Sequence, residues 1–187
     1  MSRTTSGRPI LSAINRAFAA LKKVGAPAAK VSSDLKDIEQ ADKLILPGVG
    51  AFGDCIRNLS KDGLDRAIRQ FIATGRPFLG ICVGMQLLFS VSEEFGRHEG
   101  IGFFPGNVVR FPGDMPARDG GVLKVPHMGW NEVEVVGDPP ALRGIPSGTY
   151  FYFVHSYYAA PKAPGDVVCR STYGVPFAAA VARGNRL

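Results

Sequence analysis

A cysteine between two glycines is the feature of this sequence with the clearest chemistry. In the segment 79–86, Gly80 and Gly84 flank Cys82 at two residues on either side. Such glycines let a strand, a sharp turn and a helix pack closely while the turn lifts the sulfur out of the core. A thiolate held there can attack an amide carbonyl, and the backbone amide of Val83 can stabilise the oxyanion. The spacing predicts Cys82 as a catalytic nucleophile; a buried cysteine with glycine neighbours is the alternative.

The predicted turn would also bring the Cys82 thiol over the first turn of the following helix. Unpaired backbone amides and the helix dipole at that position favour a thiolate over a thiol. We therefore expect the pKa of Cys82 to lie below that of an ordinary cysteine.

A glycine-rich loop precedes this motif along the chain. Residues 47–53 read Pro-Gly-Val-Gly-Ala-Phe-Gly and follow a buried apolar run. Closely spaced glycines let an amide point into a cleft at a φ angle that other residues avoid, which favours an oxyanion-binding loop. A phosphate cradle is the alternative, although the sequence has neither a dinucleotide-binding glycine fingerprint nor a Walker lysine.

Hydrophobic periodicity supplies the elements that would hold these loops. Predicted helices cover 9–25, 59–74 and 83–92. Predicted strands cover 28–32, 42–48, 77–81, 102–111, 122–126, 131–135, 150–154 and 178–182. This order predicts an α/β fold with a mostly parallel sheet flanked by helices and additional mixed or antiparallel strands in the C-terminal half.

Length and composition bound the class of protein. The 187 residues, with 45% hydrophobic and 20% charged residues, suit a single globular domain. No apolar run is long enough to span a membrane and no signal peptide is present, so we expect a cytosolic protein. The three cysteines lack a C-x-x-C pair, which argues against a zinc knuckle or a disulfide scaffold. The net charge of +6 is scattered, so we expect no nucleic-acid partner; a docking face for an acidic partner is an alternative to a solvated basic surface.

Four segments resemble one protein family in both sequence and order. They are 47–53, 80–89 (Gly-Ile-Cys-Val-Gly-Met-Gln-Leu-Leu-Phe), 126–131 (Pro-His-Met-Gly-Trp-Asn) and 152–157 (Tyr-Phe-Val-His-Ser-Tyr). The cysteine motif is similar to that of all class I (triad) glutamine amidotransferases. The segment 126–131 resembles one branch, the glutaminase subunits of imidazole glycerol phosphate synthase, and similarity extends over residues 10–185. The resemblance implies a class I amidotransferase fold, which is flavodoxin-like.

The resemblance also implies a reaction and a partner. Glutamine would be hydrolysed to glutamate and ammonia, and the ammonia would pass to a cyclase subunit with a (β/α)8 barrel fold, in a heterodimer. The cyclase would form imidazole glycerol phosphate and an aminoimidazole carboxamide ribotide in histidine biosynthesis. No cofactor and no metal is implied.

The matching motifs assign roles by resemblance. Cys82 would be the nucleophile, and Val49, Gly50 and Val83 would supply oxyanion-binding amides. Residues that hold glutamine would be Gly48, Gln86, Ser156 and Tyr157, and the cyclase interface would include Trp130, Asn131 and Tyr152. Taken by position alone, His127 and His155 suit hydrogen-bonded structural roles, His98 suits a solvated one, and 150–153 suits core or strand surface.

Both ends of the sequence depart from the family pattern. Family members end with Gln-Phe-His-Pro-Glu-Lys-Ser, which supplies the triad His and Glu, whereas this sequence ends Gly-Asn-Arg-Leu at Leu187. They open with a buried strand and a Tyr-Gly-x-Gly-Asn turn, whereas 1–8 is polar here. We therefore expect one amidotransferase domain over 1–187, truncated at both ends, with little or no glutaminase activity. The three interpretations are an inactive cyclase-binding module, another cysteine hydrolase and a truncated ordinary subunit.

Overall fold

A pair of parallel strands carries the two loops that the sequence singles out. The computed structural model describes residues 8–26, 28–117, 120–184 and 186–187. Strand β1 (Leu44–Gly48) runs parallel to β2 (Phe78–Cys82), and their register places Gly48 opposite Cys82. Both strands therefore end at one edge of the sheet, where the glycine loop and the cysteine motif begin.

Helices alternate with these strands along the chain. In the described ranges they are α1 (Arg8–Lys23), α2 (Leu35–Gln40), α3 (Phe52–Lys61), α4 (Leu64–Ala73) and α5 (Val83–Gln86). The side chain of Asp34 caps α2 by accepting a bond from the amide of Lys36 at 2.8 Å. Among the described residues, no helix combines the length and apolarity needed to cross a membrane.

The remaining strands form a larger sheet, mainly antiparallel. They are β3 (Phe89–Ser92), β4 (His98–Glu99), β5 (Phe104–Arg110), β6 (His127–Val135), β7 (Thr149–His155), β8 (Tyr157–Pro161), β9 (Val167–Tyr173) and β10 (Val175–Val181). Their order is β4-β3-β5-β8-β10-β9-β6-β7, and β3 runs parallel to β5 while the other neighbouring pairs are antiparallel. The predicted α/β fold class is confirmed, with antiparallel pairing dominating the C-terminal half.

Two of the predicted helices end differently from expectation. The prediction of one helix over 59–74 is wrong, because Gly63 adopts φ 73° and separates α3 from α4. The prediction of a helix over 83–92 is wrong beyond Gln86, because the apolar residues that follow enter β3. There, Phe89 pairs with β5, a partner that lies too far along the chain for a local pattern to reveal.

Two predicted strands are also wrong. Residues 28–32 pair with no strand of the described chain and are mostly exposed, and Lys30 instead forms a salt bridge of 2.7 Å with Asp37. In 122–126, only Val122 pairs, through an isolated bridge. The expected loss of the family's first strand concerns residues 1–7, which lie outside the described residues.

Phenylalanine rings form the centre of the main core. Phe104 is fully buried, stacks on Phe89 at 5.6 Å and meets Phe103 edge-on at 4.8 Å. The same cluster contains Val83 and Leu87 at the two ends of α5. Core packing therefore holds the helix that follows Cys82.

Because Phe104 is fully buried in this core, we expect Phe104→Ala to lower the stability of the protein measurably. The cavity left by a fully buried ring should lower the free energy of unfolding by about 3–5 kcal/mol, as measured by urea denaturation. Phe95→Ala is the matched control, because Phe95 is 82% exposed and its loss should change stability by less than about 0.5 kcal/mol. Equal losses for the two variants would contradict this account of the core.

Candidate active site

Cys82 lies at a sharp turn between β2 and α5. It is the last residue of the strand and directly precedes the helix. Its backbone adopts φ 57° and ψ −121°, a conformation that a non-glycine residue holds only when its surroundings impose it. The residue is exposed at this turn, although the protein around its sulfur is dense enough to desolvate a thiolate. The predicted strand–turn–helix geometry, here called the elbow, is confirmed.

Glycines at the elbow leave room for neighbouring backbone. A Cβ at Gly84 would lie 1.9 Å from the carbonyl oxygen of Leu46, and one at Gly80 would lie 2.8 Å from the backbone of Met85. A Cβ at Gly48 would lie 2.5 Å from the amide nitrogen of the elbow helix. Real Cβ atoms do not approach so closely, so these glycines allow β1, the glycine loop and the elbow to touch.

Burial dominates the ionisation of Cys82. Burial raises the pKa of the thiol, a hydrogen bond from the backbone of Val83 lowers it in part, and the charge of Glu94 raises it further. The expected lowering of this pKa is therefore wrong. The helix α5 has only four residues, so few aligned peptides contribute to its dipole. The Cys82 thiol is consequently protonated at neutral pH until a base removes the proton.

The glycine loop faces the elbow, and a residue of α3 contacts the loop from its other side. Gly50 adopts φ 100°, which glycine reaches without steric cost. The thiol of Cys55 donates to the carbonyl oxygen of Val49 at 3.4 Å. This bond fixes the peptide that joins Val49 to Gly50. The oxyanion role of that peptide stays a prediction.

Two residues predicted to hold glutamine contact each other. Gln86 is 8% exposed, and its Nε2 donates to the carbonyl oxygen of Tyr157 at 3.0 Å. The neighbouring Ser156 is half-buried, and its carbonyl oxygen accepts a bond from the amide of Phe111 at 3.0 Å. The structure thus brings 156–157 to the elbow helix, while the roles of these residues in glutamine binding stay predictions.

The predicted interface residues divide between two faces of β6. Trp130 and Tyr152 are 69% and 55% exposed, and their rings meet edge-on at 5.6 Å on the outer face. Asn131 points to the inner face, where its Nδ2 donates to the carbonyl oxygen of Thr172 at 2.9 Å. A groove of about 940 Å³ is lined by residues of β6, β9 and the neighbouring loops, among them Trp130 and Asn131, and no elbow residue of the described chain lines it.

The three histidines of the sequence lie in two places. Nδ1 of His127 is 3.1 Å from Nε2 of His155, so these two are hydrogen-bonded to each other. The ring of His98 packs against Gly53, where an added Cβ would lie 2.7 Å from it. His98 is therefore half-buried rather than solvated as expected. Within the described residues, none of the three is hydrogen-bonded to Cys82.

Glu94 is a residue of this site that sequence analysis missed. Its Oε2 accepts a hydrogen bond of 2.7 Å from the amide of Phe52, the first residue of α3. Burial is the main cause that raises the pKa of Cys82 and of Cys55, and the charge of Glu94 raises both further. Phe52 and Glu94 are 42 positions apart, so no local pattern signals the contact. In the described part of the chain, no group of three or more His, Cys, Asp or Glu side chains could hold a metal ion.

The sequence and the fold of this chain have counterparts in known proteins. The family described as glutamine amidotransferase class-I matches residues 10–186, and the chain belongs to that family. Solved structures agree on the fold. A crystal structure of a glutamine amidotransferase has a TM-score of 0.67 at 20% identity and covers 92% of this chain and 80% of its own. A putative GMP synthase subunit from Thermoplasma acidophilum has a TM-score of 0.54 at 22% identity, covering 85% and 67%.

Curated relatives place the chain in one branch of the family. It is 52% identical to imidazole glycerol phosphate synthase subunit HisH of Syntrophotalea carbinolica, over 88% of this chain and 79% of that protein. The HisH subunit of Geobacter metallireducens is 51% identical over 88% and 77%, and that of Pseudomonas putida is 50% identical over 89% and 78%. At this similarity, the chain is a member of the HisH branch.

The charge of Glu94 predicts a shift in the reactivity of Cys82. Glu94→Gln should lower the pKa of Cys82, because a neutral side chain no longer opposes the thiolate. At any pH below that pKa, more thiolate should form and iodoacetamide should alkylate Cys82 faster, as followed by mass spectrometry across a pH series. Glu93→Gln, on an exposed neighbour, is the control. Coincident pH profiles for all three proteins would refute the electrostatic role.

Proposed function

We propose that this chain is the glutaminase subunit of an imidazole glycerol phosphate synthase. It would hydrolyse glutamine and deliver ammonia to a cyclase subunit with a (β/α)8 barrel fold, which forms imidazole glycerol phosphate and the carboxamide ribotide in the cytosol. The observation that carries the proposal is the exposed Cys82 on its left-handed turn, opposite the glycine loop. The HisH relatives support the same role.

The proposed chemistry uses the elbow and the loop together. The Cys82 sulfur would attack the side-chain amide carbon of glutamine and form a C–S bond while its proton passes to a base. Amides of Val83 and Gly50 would bind the negative oxygen. The C–N bond would then break as the nitrogen takes up a proton and leaves as ammonia. Water would hydrolyse the thioester to glutamate and restore the thiol. Glutamine would be held by Gly48, Gln86, Ser156 and Tyr157.

Among the described residues, no histidine is hydrogen-bonded to the Cys82 thiol. Burial keeps the Cys82 thiol protonated, and His127 and His155 are engaged with each other. We therefore propose that the 187-residue chain hydrolyses glutamine slowly. Leu187 lies beside β2, because its amide donates to the carbonyl oxygen of Phe78 at 2.9 Å and its carbonyl oxygen accepts from the amide of Gly80 at 2.8 Å. Residues added after Leu187 in this parallel direction would run along β2 toward the elbow.

Extending the chain should restore turnover. Together with purified cyclase, a chain extended by the C-terminal segment of a HisH relative should release glutamate about 10⁴-fold faster than the 187-residue chain, because loss of a triad member lowers the rate on that scale. Cys82→Ser in the extended chain is the control and should abolish turnover. A rate of about 1 per second for the 187-residue chain would overturn the proposed slow hydrolysis.

A chloroketone analogue of glutamine separates slow chemistry from a site that does not form. With the cyclase present, intact mass should reveal one adduct on Cys82 and none on Cys82→Ser. Absence of the adduct would mean that the site is not formed. Adduct-free chains that still bind the cyclase would favour the alternative, a catalytically inactive cyclase-binding module.

We propose the outer face of β6 and β7 as the surface that docks on the cyclase. Register places Met128 opposite Val154 and Trp130 opposite Tyr152. These four side chains are between 52% and 69% exposed, and alternation puts them on one face. Exposed aromatic and methionine side chains are typical of the well-packed centre of an interface. Asn131, on the inner face, would support this surface from behind.

Truncating the central tryptophan should weaken docking. Trp130→Ala should raise the dissociation constant for the cyclase about 30-fold, as expected for an aromatic hot spot, measured by isothermal titration calorimetry. Phe95→Ala removes another exposed aromatic ring, outside this face, and should leave the affinity unchanged. Unchanged affinity for Trp130→Ala would remove this face from the interface.

A further inference from the structure

Two histidines that contact each other in the fold take no part in the chemistry proposed for Cys82. His127 is 3% exposed and stacks on Tyr173 at 4.1 Å and on Phe153 at 5.2 Å. His155 is half-buried and lies against His127. Burying two imidazoles among aromatic rings is unfavourable unless their nitrogens have partners. The identity of those partners therefore indicates what the pair does.

At one end, the pair bonds to the segment that contacts the elbow helix. The carbonyl oxygen of Tyr157 lies 3.0 Å from His155 Nδ1 and accepts a second bond from Gln86 Nε2 at 3.0 Å. A carbonyl oxygen only accepts, so His155 carries its proton on Nδ1. In the neutral ring, Nε2 is then an acceptor, and His127 must donate to it from Nδ1 across 3.1 Å.

At the other end, an independent set of contacts favours the same arrangement. The amide of Asn131 is fixed, because its Nδ2 donates to Thr172 at 2.9 Å and its Oδ1 accepts from the amide of Glu132 at 2.9 Å. Its NH₂ group thus faces His127 Nε2, at 3.5 Å. The contact is long, but an NH₂ group in that place favours an unprotonated Nε2, which agrees with a proton on Nδ1 of His127.

Each neutral ring carries one proton on Nδ1. An additional proton on either ring would break this arrangement. A charged His127 would turn an N–H toward the NH₂ of Asn131, and a charged His155 would turn one toward His127. Burial, the largest cause, lowers the pKa of both rings, that of His127 to about 4. Both rings are therefore neutral at pH 7, and the bonds run in one fixed direction from Asn131 to Tyr157.

The same two strands carry the docking face on their other side. Along β6, outward Met128 and Trp130 alternate with inward His127 and Asn131, and along β7 outward Val154 precedes inward His155. A shift of these strands when the outer face is covered would therefore move the histidine pair as well. Gln86 ends the helix that begins directly after Cys82.

From this geometry we propose that His127 and His155 are positioning residues, a neutral pair that links the docking face on β6 to the elbow through Tyr157 and Gln86. The inference rests on the proposed function in taking the outer face as the docking surface. The pair touches neither substrate nor the reacting atoms. It transmits the position of β6 to the helix that shapes the Cys82 turn.

The test compares Cys82 alkylation by iodoacetamide in the full chain, with and without saturating cyclase. In the unaltered chain, the cyclase should change the alkylation rate about fivefold or more, the lower range of typical coupling between sites. His127→Phe keeps an aromatic ring in the stack but removes both nitrogens, so the ratio should fall to about one. Tyr173→Phe is the matched control, since it removes only a hydroxyl that bonds to Lys124, and should keep the full ratio.

A second experiment measures the protonation of the two histidines by NMR and needs no cyclase. Nitrogen-15 NMR of the free chain at pH 7 should find both rings as the neutral Nδ1–H tautomer. Asn131→Asp should place a carboxylate against His127 Nε2, so the pKa of His127 should rise. An Nε2–H tautomer in either ring, or a full cyclase-induced ratio in His127→Phe, would overturn the proposal. Failure of the unaltered chain to bind cyclase would instead count against the proposed function, and the NMR result would then decide the pair on its own.

Discussion

The close approach of the β1 backbone to the elbow helix is the contact on which the rest of the site depends. It involves no side chain at Gly84, where a Cβ would stand 1.9 Å from the carbonyl oxygen of Leu46. Because the helix can reach β1, the glycine loop that follows β1 lies against the elbow. Core packing of Val83 and Leu87 then holds the helix in place, and Cys82 is left in its left-handed conformation between two fixed elements.

Features encoded within a few residues were predictable, and features that depend on distant contacts were not. The elbow follows from the spacing of Gly80, Cys82 and Gly84, so sequence alone locates it. The strand nature of 89–92 depends on pairing with β5, and an apolar run reads as helix without that partner. The direction in which the pKa of Cys82 shifts could not be predicted from sequence either, because it is set by burial and by Glu94.

The candidate interface illustrates the same limit in another way. The motif Pro-His-Met-Gly-Trp-Asn identifies a branch of the family but does not tell which side chains share a face. Strand alternation separates Trp130 from Asn131, and only the cross-strand register pairs Trp130 with Tyr152. The histidine contact spans 28 positions of sequence, and the protonation of the pair follows from bonds to backbone carbonyls that no motif records.

The place of β7 at the end of the larger sheet has a consequence for the behaviour of the free chain. An edge strand offers unpaired backbone groups, and proteins usually protect such edges with lysine, proline or a bulge. Residues Thr149–His155 contain neither lysine nor proline, and Tyr150, Tyr152 and Val154 are exposed beside that edge. The strand that would give affinity to a complex is thus also open to pairing with another copy. A partner that covers the proposed docking face would therefore also shield this edge, so the chain should aggregate less in the complex than alone.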